Sequence, residues 1–160
     1  MSMKNRLLLL ASLITLGLSS CKPDACKDVT CLNGGICDSG ECICATGYAG
    51  TNCDTEQRLA FVGNYSAVEN CNLGDFNYEI SINANSENVT EIVLHNLGDF
   101  NFDIVGVVSG TAVTFTDQPG TGSTINGTGT LDNGVLTIDY TLVTSGDQTL
   151  TCNLTATIIE

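Results

Sequence analysis

The chain has no tryptophan, two prolines, a single histidine and five basic residues against eighteen acidic ones, for a formal net charge of −13. Each scarcity removes a class of function. The five cations, Lys4, Arg6, Lys22, Lys27 and Arg58, are too few to neutralise a phosphate backbone, so no nucleic-acid partner is expected. The lone histidine, His95, alternates with the apolar Ile92 and Leu94, which points it outward and leaves nucleophilic catalysis without an evident base. Without tryptophan there is no preferred platform for stacking a sugar, and no acid occupies an evident inward face among polar partners, so the carboxylate pair of a glycoside hydrolase is not expected either. Phosphate loops, dinucleotide fingerprints and CxxC zinc motifs are absent. No catalytic residue is assigned, and the chain is read as a non-enzyme.

Cysteine, by contrast, is abundant, with nine residues. Lys4 and Arg6 precede an apolar stretch from Leu7 to Leu18 that is too short to cross a bilayer as a resident helix, so residues 1–20 read as a secretory leader. The stretch ends Leu18-Ser19-Ser20-Cys21, which resembles the lipobox of bacterial lipoproteins. That resemblance implies cleavage before Cys21, lipidation of its thiol, and export to the cell envelope, at the outer membrane and on its surface, with the membrane as a partner through the anchor. An ordinary leader cut near the same serines would instead leave Cys21 an unpaired thiol, whereas the other eight cysteines can all pair. Each buried acyl methylene contributes roughly 0.8 kcal/mol, so two or three chains hold a domain at a membrane without a spanning helix. Residues 21–25 form the tether; Lys22-Pro23-Asp24 is similar to the signal that follows the anchor in surface-displayed lipoproteins of Bacteroidetes, and serves equally as a short polar spacer. Once the leader is gone, Lys22, Lys27 and Arg58 alone face the eighteen carboxylates.

Six cysteines crowd into residues 26–54 as Cys26-x4-Cys31-x5-Cys37-x4-Cys42-x-Cys44-x8-Cys53, with Asn33-Gly34-Gly35 after the second and Gly47-Tyr48-Ala49-Gly50 before the last. So short a segment cannot bury enough apolar surface to offset its chain entropy, so cross-links must stabilise it, each contributing roughly 2 to 3 kcal/mol on the loop-entropy model. Spacing alone leaves fifteen pairings open. The pattern resembles an EGF-like domain, and the resemblance implies Cys26 with Cys37, Cys31 with Cys42, and Cys44 with Cys53. Calcium-binding members of that family carry an acidic run before the first cysteine; here only Asp24 stands there, and the stretch Asp38-Ser39-Gly40-Glu41 is too short for their hydroxylation motif.

Residues 55–160 change to Val, Ile, Thr, Asn and Gly with apolar and polar side chains alternating, the period of half-buried strands. Phe76, Tyr78, Ile80 and Ile82 share one face of such a strand, and Leu136, Ile138, Tyr140 and Leu142 share another. About eight strands are predicted, near 60–69, 75–84, 88–96, 100–109, 111–117, 123–131, 134–144 and 148–159, joined by short turns such as Asp132-Asn133-Gly134. Short connections force antiparallel neighbours, hence a meander; no helix is expected. The sequence Asn-Leu-Gly-Asp-Phe-Asn occurs at 72–77 and again at 96–101, which predicts two similar hairpin corners, each Phe opening a strand on its buried face.

Cys71 and Cys152 fall in the first and last of these strands; if they pair in register, Tyr65 lies opposite Ile158 and the sheet closes on itself without exposed edges. Gly63-Asn64-Tyr65, the strand number and this terminal clasp are similar to small lipocalin-like barrels of bacterial lipoproteins, with a two-sheet β-sandwich as the alternative. The fold class is thus mainly β, a disulfide-rich module followed by an eight-stranded antiparallel domain. The function expected first is an anchored, non-catalytic binding or adhesion module for a protein or glycan. A carrier of a small apolar ligand is the second expectation, with Phe76, Tyr78, Phe102, Phe115 and Tyr140 lining the barrel. A calcium-stabilised adhesin is the third, drawing on Asp24, Asp75 and Asp99, although neither hexapeptide has the alternating oxygen ligands of a calcium loop; no other cofactor is implied.

Overall fold

The computed structural model describes residues 24–120 and 122–159. The expected leader, Cys21 with its expected lipid, and the expected tether as far as Pro23 lie outside the described residues.

The first segment is a chain of turns with two short hairpins, β1 (Ile36–Asp38) with β2 (Glu41–Ile43) and β3 (Tyr48–Ala49) with β4 (Thr55–Glu56). Disulfides join Cys26 to Cys37, Cys31 to Cys42 and Cys44 to Cys53. Its apolar side chains point to water, with Leu32, Ile36 and Ile43 exposed while Cys53 is fully buried. The interior of this module is therefore sulfur and backbone, and covalent cross-links take the place of a hydrophobic core.

Eight strands follow: β5 (Gly63–Cys71), β6 (Gly74–Ala84), β7 (Glu91–His95), β8 (Asp103–Ser109), β9 (Ala112–Gly120), β10 (Ser123–Asp132), β11 (Val135–Thr144) and β12 (Thr149–Ile159). Each pairs antiparallel with the next and β12 pairs with β5, so the sheet is a closed barrel rather than a sandwich. Cys71 stands opposite Cys152 and Tyr65 opposite Ile158, and a disulfide joins the two cysteines. Closure removes the free edges through which sheets aggregate.

Alternation converts directly into layers. Tyr65 and Ala67 of β5, Ile80 and Ile82 of β6, Leu136, Ile138 and Tyr140 of β11, and Leu154 and Ala156 of β12 are buried in one cluster, while their sequence neighbours face solvent. Eight strands enclose just enough room for side chains to fill. Three inward positions are glycine because the space is already taken: a Cβ at Gly106 would lie 2.6 Å from Phe115, one at Gly127 2.7 Å from the Tyr140 Cβ, and one at Gly129 2.8 Å from the Thr137 carbonyl oxygen.

Three expectations need correction. Residues 60–62 are not strand, because Gln57–Phe61 is a 3-10 helix that drops Phe61 into the core, and the buried Tyr65 hydroxyl donates a 2.8 Å hydrogen bond to the Phe61 carbonyl at its end. The two hexapeptides are not alike: the first makes the tight β5–β6 hairpin, whereas Leu97–Asp99 of the second is a second 3-10 helix and β8 begins only at Asp103. Neither Phe76 nor Phe100 opens a strand on a buried face, since both remain exposed at the barrel rim.

The two ends of the barrel differ. At one, the cysteine-rich module docks through Gln57, whose side chain donates to the Tyr48 carbonyl and accepts from the Gly110 N–H, and through Gly47, which abuts Val89 and Thr90. Arg58 completes this end by donating to the carbonyls of Asn85 and Asn88 in the β6–β7 loop while pairing with Glu56. The first 3-10 helix plugs the same end from below. The other end, formed by the β5–β6, β7–β8, β9–β10 and β11–β12 connections, is open.

Candidate functional site: the open end of the barrel

A cavity of about 580 Å3 occupies the open end. Leu142 and Leu150 contribute apolar surface from β11 and β12; Leu73, Phe100 and Phe102 form the wall, and Ser123, Thr144, Gln148 and Thr149 supply polar groups around the edge. Phe100 and Phe102 are alternate residues of the β7–β8 connection whose rings stack nearly parallel with centroids 5.8 Å apart. Leu73 is 79% exposed at the tip of the β5–β6 hairpin, an apolar residue with no core to enter. The size and the mix of apolar wall with a few polar groups suit a small ligand or one or two inserted side chains. Rigid strand ends hold the floor, and the wall sits on turns.

Beneath that floor lies a buried acid. Glu69 is 1% exposed on the inward face of β5, and the Tyr140 hydroxyl donates a 2.6 Å hydrogen bond to its Oε1. Tyr140 is one inward step below Leu142 on β11, so the carboxylate belongs to the packed layer next to the cavity and not to the cavity itself. Burial first, then a hydrogen bond and the negative charge of Glu69, push the Tyr140 phenol well above its ordinary value of 10.0. Tyr78 is raised by the same causes, burial first and the Glu69 charge second, although the Gly98 N–H that it accepts at 2.9 Å pulls the other way. Gly98 has φ near 70°, in the left-handed region, and a Cβ there would come within 2.9 Å of the Tyr140 hydroxyl. The second 3-10 helix therefore closes over the two phenols, and only glycine fits at the point of contact.

The residues expected to line the barrel are divided by the structure. Phe102 borders the cavity. Phe115 and Tyr140 are buried filler of the core, Tyr78 is half-buried beneath the second 3-10 helix, and Phe76 is on the rim, 46% exposed. Glu69 corrects the expectation that no acid faces inward among polar partners. Its signal was the period of two in Tyr65-Ala67-Glu69-Cys71, which carries the inward face one step beyond the apolar residues.

His95 faces outward, with Nδ1 2.7 Å from Asp103 Oδ1 on the neighbouring strand. Of the three calcium candidates, Asp24 accepts the Cys26 N–H, Asp99 accepts the Asn96 side-chain amide, and Asp75 is exposed. The one grouping of three ligand-type side chains among the described residues is Glu69 with Cys71 and Cys152, whose sulfurs are joined to each other. Among the described residues no helix is long and apolar enough to cross a membrane.

No protein-family model and no curated protein matches the chain. A solved structure from Bacteroides ovatus, a structural-genomics protein of unknown function, is similar at a TM-score of 0.40 and 9% identity over 60% of this chain. The aligned part spans 41% of the length of that protein.

Proposed function

We propose that this chain is a non-catalytic binding module of the bacterial cell envelope, held to the membrane by lipid on Cys21, with an EGF-like pedestal carrying a lipocalin-like barrel. The observation that carries the reading is the polarity of the barrel: the disulfide module and the first 3-10 helix close one end, and the apolar cavity opens at the opposite one. A module reached through a five-residue tether stands within about 18 Å of the lipid headgroups, so the end opposite the pedestal is directed away from the membrane. Exposed Leu73, Phe76 and Phe100 gather at that free end, the arrangement of a recognition surface. The carrier reading is narrowed by the filled core, since a ligand would sit in the mouth and not along the barrel axis.

The experiment is titration of residues 22–160, which contain every described element, with the neutral fluorophore Nile red. Enhanced emission that is lost in the Leu73→Ser/Phe100→Ser variant supports the mouth as a binding site. Emission unchanged by that pair of substitutions refutes it. Intact mass of the mature protein from the envelope, before and after reduction, tests the anchor: an unmodified residue at the amino terminus would overturn it.

A further inference from the structure

The charge of the barrel indicates what its mouth receives. From Leu59 to the end the sequence contains no lysine or arginine, while Lys27 and Arg58, the basic residues of the described part, belong to the module and its junction with the closed end. Around the mouth, Asp75 follows the exposed Leu73 by two residues, Asp99 adjoins Phe100, and Asp147 adjoins Gln148; all three carboxylates are exposed. Neither ion pair among the described residues involves them, since Arg58 pairs with Glu56 and His95 with Asp103. The three carboxylates do not line the cavity themselves but stand one or two residues from side chains that do, Asp75 at the start of β6 and Asp99 and Asp147 on the β7–β8 and β11–β12 connections, on a barrel without lysine or arginine.

Resting on the mouth reading above, we propose that the occupant is a basic segment of another protein, which inserts a bulky apolar side chain between Leu73, Phe100 and Phe102 and sets flanking Lys or Arg against Asp75, Asp99 and Asp147. Charge complementarity selects this class. A second copy of the chain would bring one acidic rim against another, and an anionic bilayer or a fatty acid would meet carboxylates with no cation to offset them. A partner segment with apolar and basic residues meets both features at once: the side chain is desolvated in the cavity, and the charges remain at the wet edge, where they set specificity and the rate of encounter. Ser123, Thr144, Gln148 and Thr149 lie where the backbone polar groups of such a segment would need partners.

Three synthetic nonapeptides with a central Phe decide the matter, identical except that the flanking positions are Lys, Ser or Glu. The Lys peptide is expected to bind residues 22–160 roughly tenfold more tightly than the Ser peptide at low salt, to lose that advantage as salt screens the rim, and to lose it likewise in the Asp75→Asn/Asp99→Asn/Asp147→Asn variant. The Glu peptide is expected not to bind. Equal binding of Lys and Ser peptides, or a Lys preference that survives in the triple variant, overturns the proposal. Nile red binding at the mouth, measured beside these titrations, separates the two failures: with Nile red bound and no Lys preference, the mouth stands and its occupant is of another kind. If Nile red is insensitive to Leu73→Ser/Phe100→Ser, the mouth itself fails. Retained Nile red binding by the triple variant shows that it is folded.

Discussion

The Tyr140 hydroxyl reaches across the barrel interior to Glu69 Oε1 at 2.6 Å, joining residues 71 apart in sequence, and neither side chain has meaningful contact with water. A carboxylate there is tolerated only while its donors stay in place, because an unsatisfied buried charge costs far more than the bond itself contributes. Tyr140→Phe removes one donor and nothing else, so it should lower the urea stability by about 2 kcal/mol. In a Glu69→Gln background the same change should cost about half as much, since a neutral acceptor is cheaper to strand. Equal costs in the two backgrounds would show that the carboxylate charge is not what Tyr140 serves.

Alkali should attack the same layer. Burial raises Tyr65, Tyr78 and Tyr140 above the ordinary phenol value of 10.0, with the Glu69 carboxylate adding to the last two. The folded protein thus holds these protons more tightly than the unfolded chain does. Below about pH 10 both states are protonated and the phenols give no slope; above it only the unfolded chain loses protons, and stability falls as pH rises. Phenolate absorbance should therefore appear together with loss of structure, and the decline with pH should be shallower in Tyr140→Phe. Titration of all phenols before any unfolding would contradict the buried layer.

The bond between Cys71 and Cys152 spans a sequence separation of 81 and fastens the first barrel strand to the last. On the loop-entropy model, replacing both by alanine should cost about 4 to 5 kcal/mol, less where the denatured chain is already compact. Because β5 and β12 still share a hydrogen-bonded ladder from Cys71 to Asn64, the barrel should survive as a less stable fold. A lower thermal midpoint with an unchanged β spectrum is the expected pair of observations. Loss of the spectrum at low temperature would mean that the bond is needed to close the sheet at all.

Period-two alternation makes the barrel strands legible, and pairing Cys71 directly opposite Cys152 sets β5 against β12 so that Tyr65 meets Ile158, as the structure has it. The repeated hexapeptide misled because its conformation is decided outside itself. Asn72 spans to β12, its amide donating to the Thr149 carbonyl and accepting from the Thr151 N–H, and so supports a tight hairpin. Asn96 instead takes a left-handed φ of 72°, donates to the Glu79 carbonyl and accepts the Asn101 N–H, which folds the next residues into the helical turn above Tyr78. The same six letters thus answer to different neighbours. The mouth was illegible for a similar reason: Leu73, Phe100, Leu142 and Leu150 come from separate connections and strand ends, and only closure of the barrel brings them together.

Arg58 ties the cysteine-rich module to the barrel through contacts that run in two directions from one side chain. One guanidinium nitrogen serves the Asn85 and Asn88 carbonyls while another pairs with Glu56 at 2.8 Å, and the side chain is only 12% exposed. The planar fork reaches the β6–β7 loop and Glu56 from separate nitrogens, whereas an ammonium offers its three donors from a single point and cannot span both the loop carbonyls and Glu56. Arg58→Lys should therefore lower stability by about 1 to 2 kcal/mol, and Arg58→Ala by about 2 to 3 kcal/mol through carbonyls left without a donor. Both should speed proteolysis and amide exchange between Asn85 and Glu91. Because this junction lies at the opposite end from the cavity, Nile red binding by the folded fraction should be unaffected; weakened binding would mean that the two ends of the barrel are coupled through its packed core.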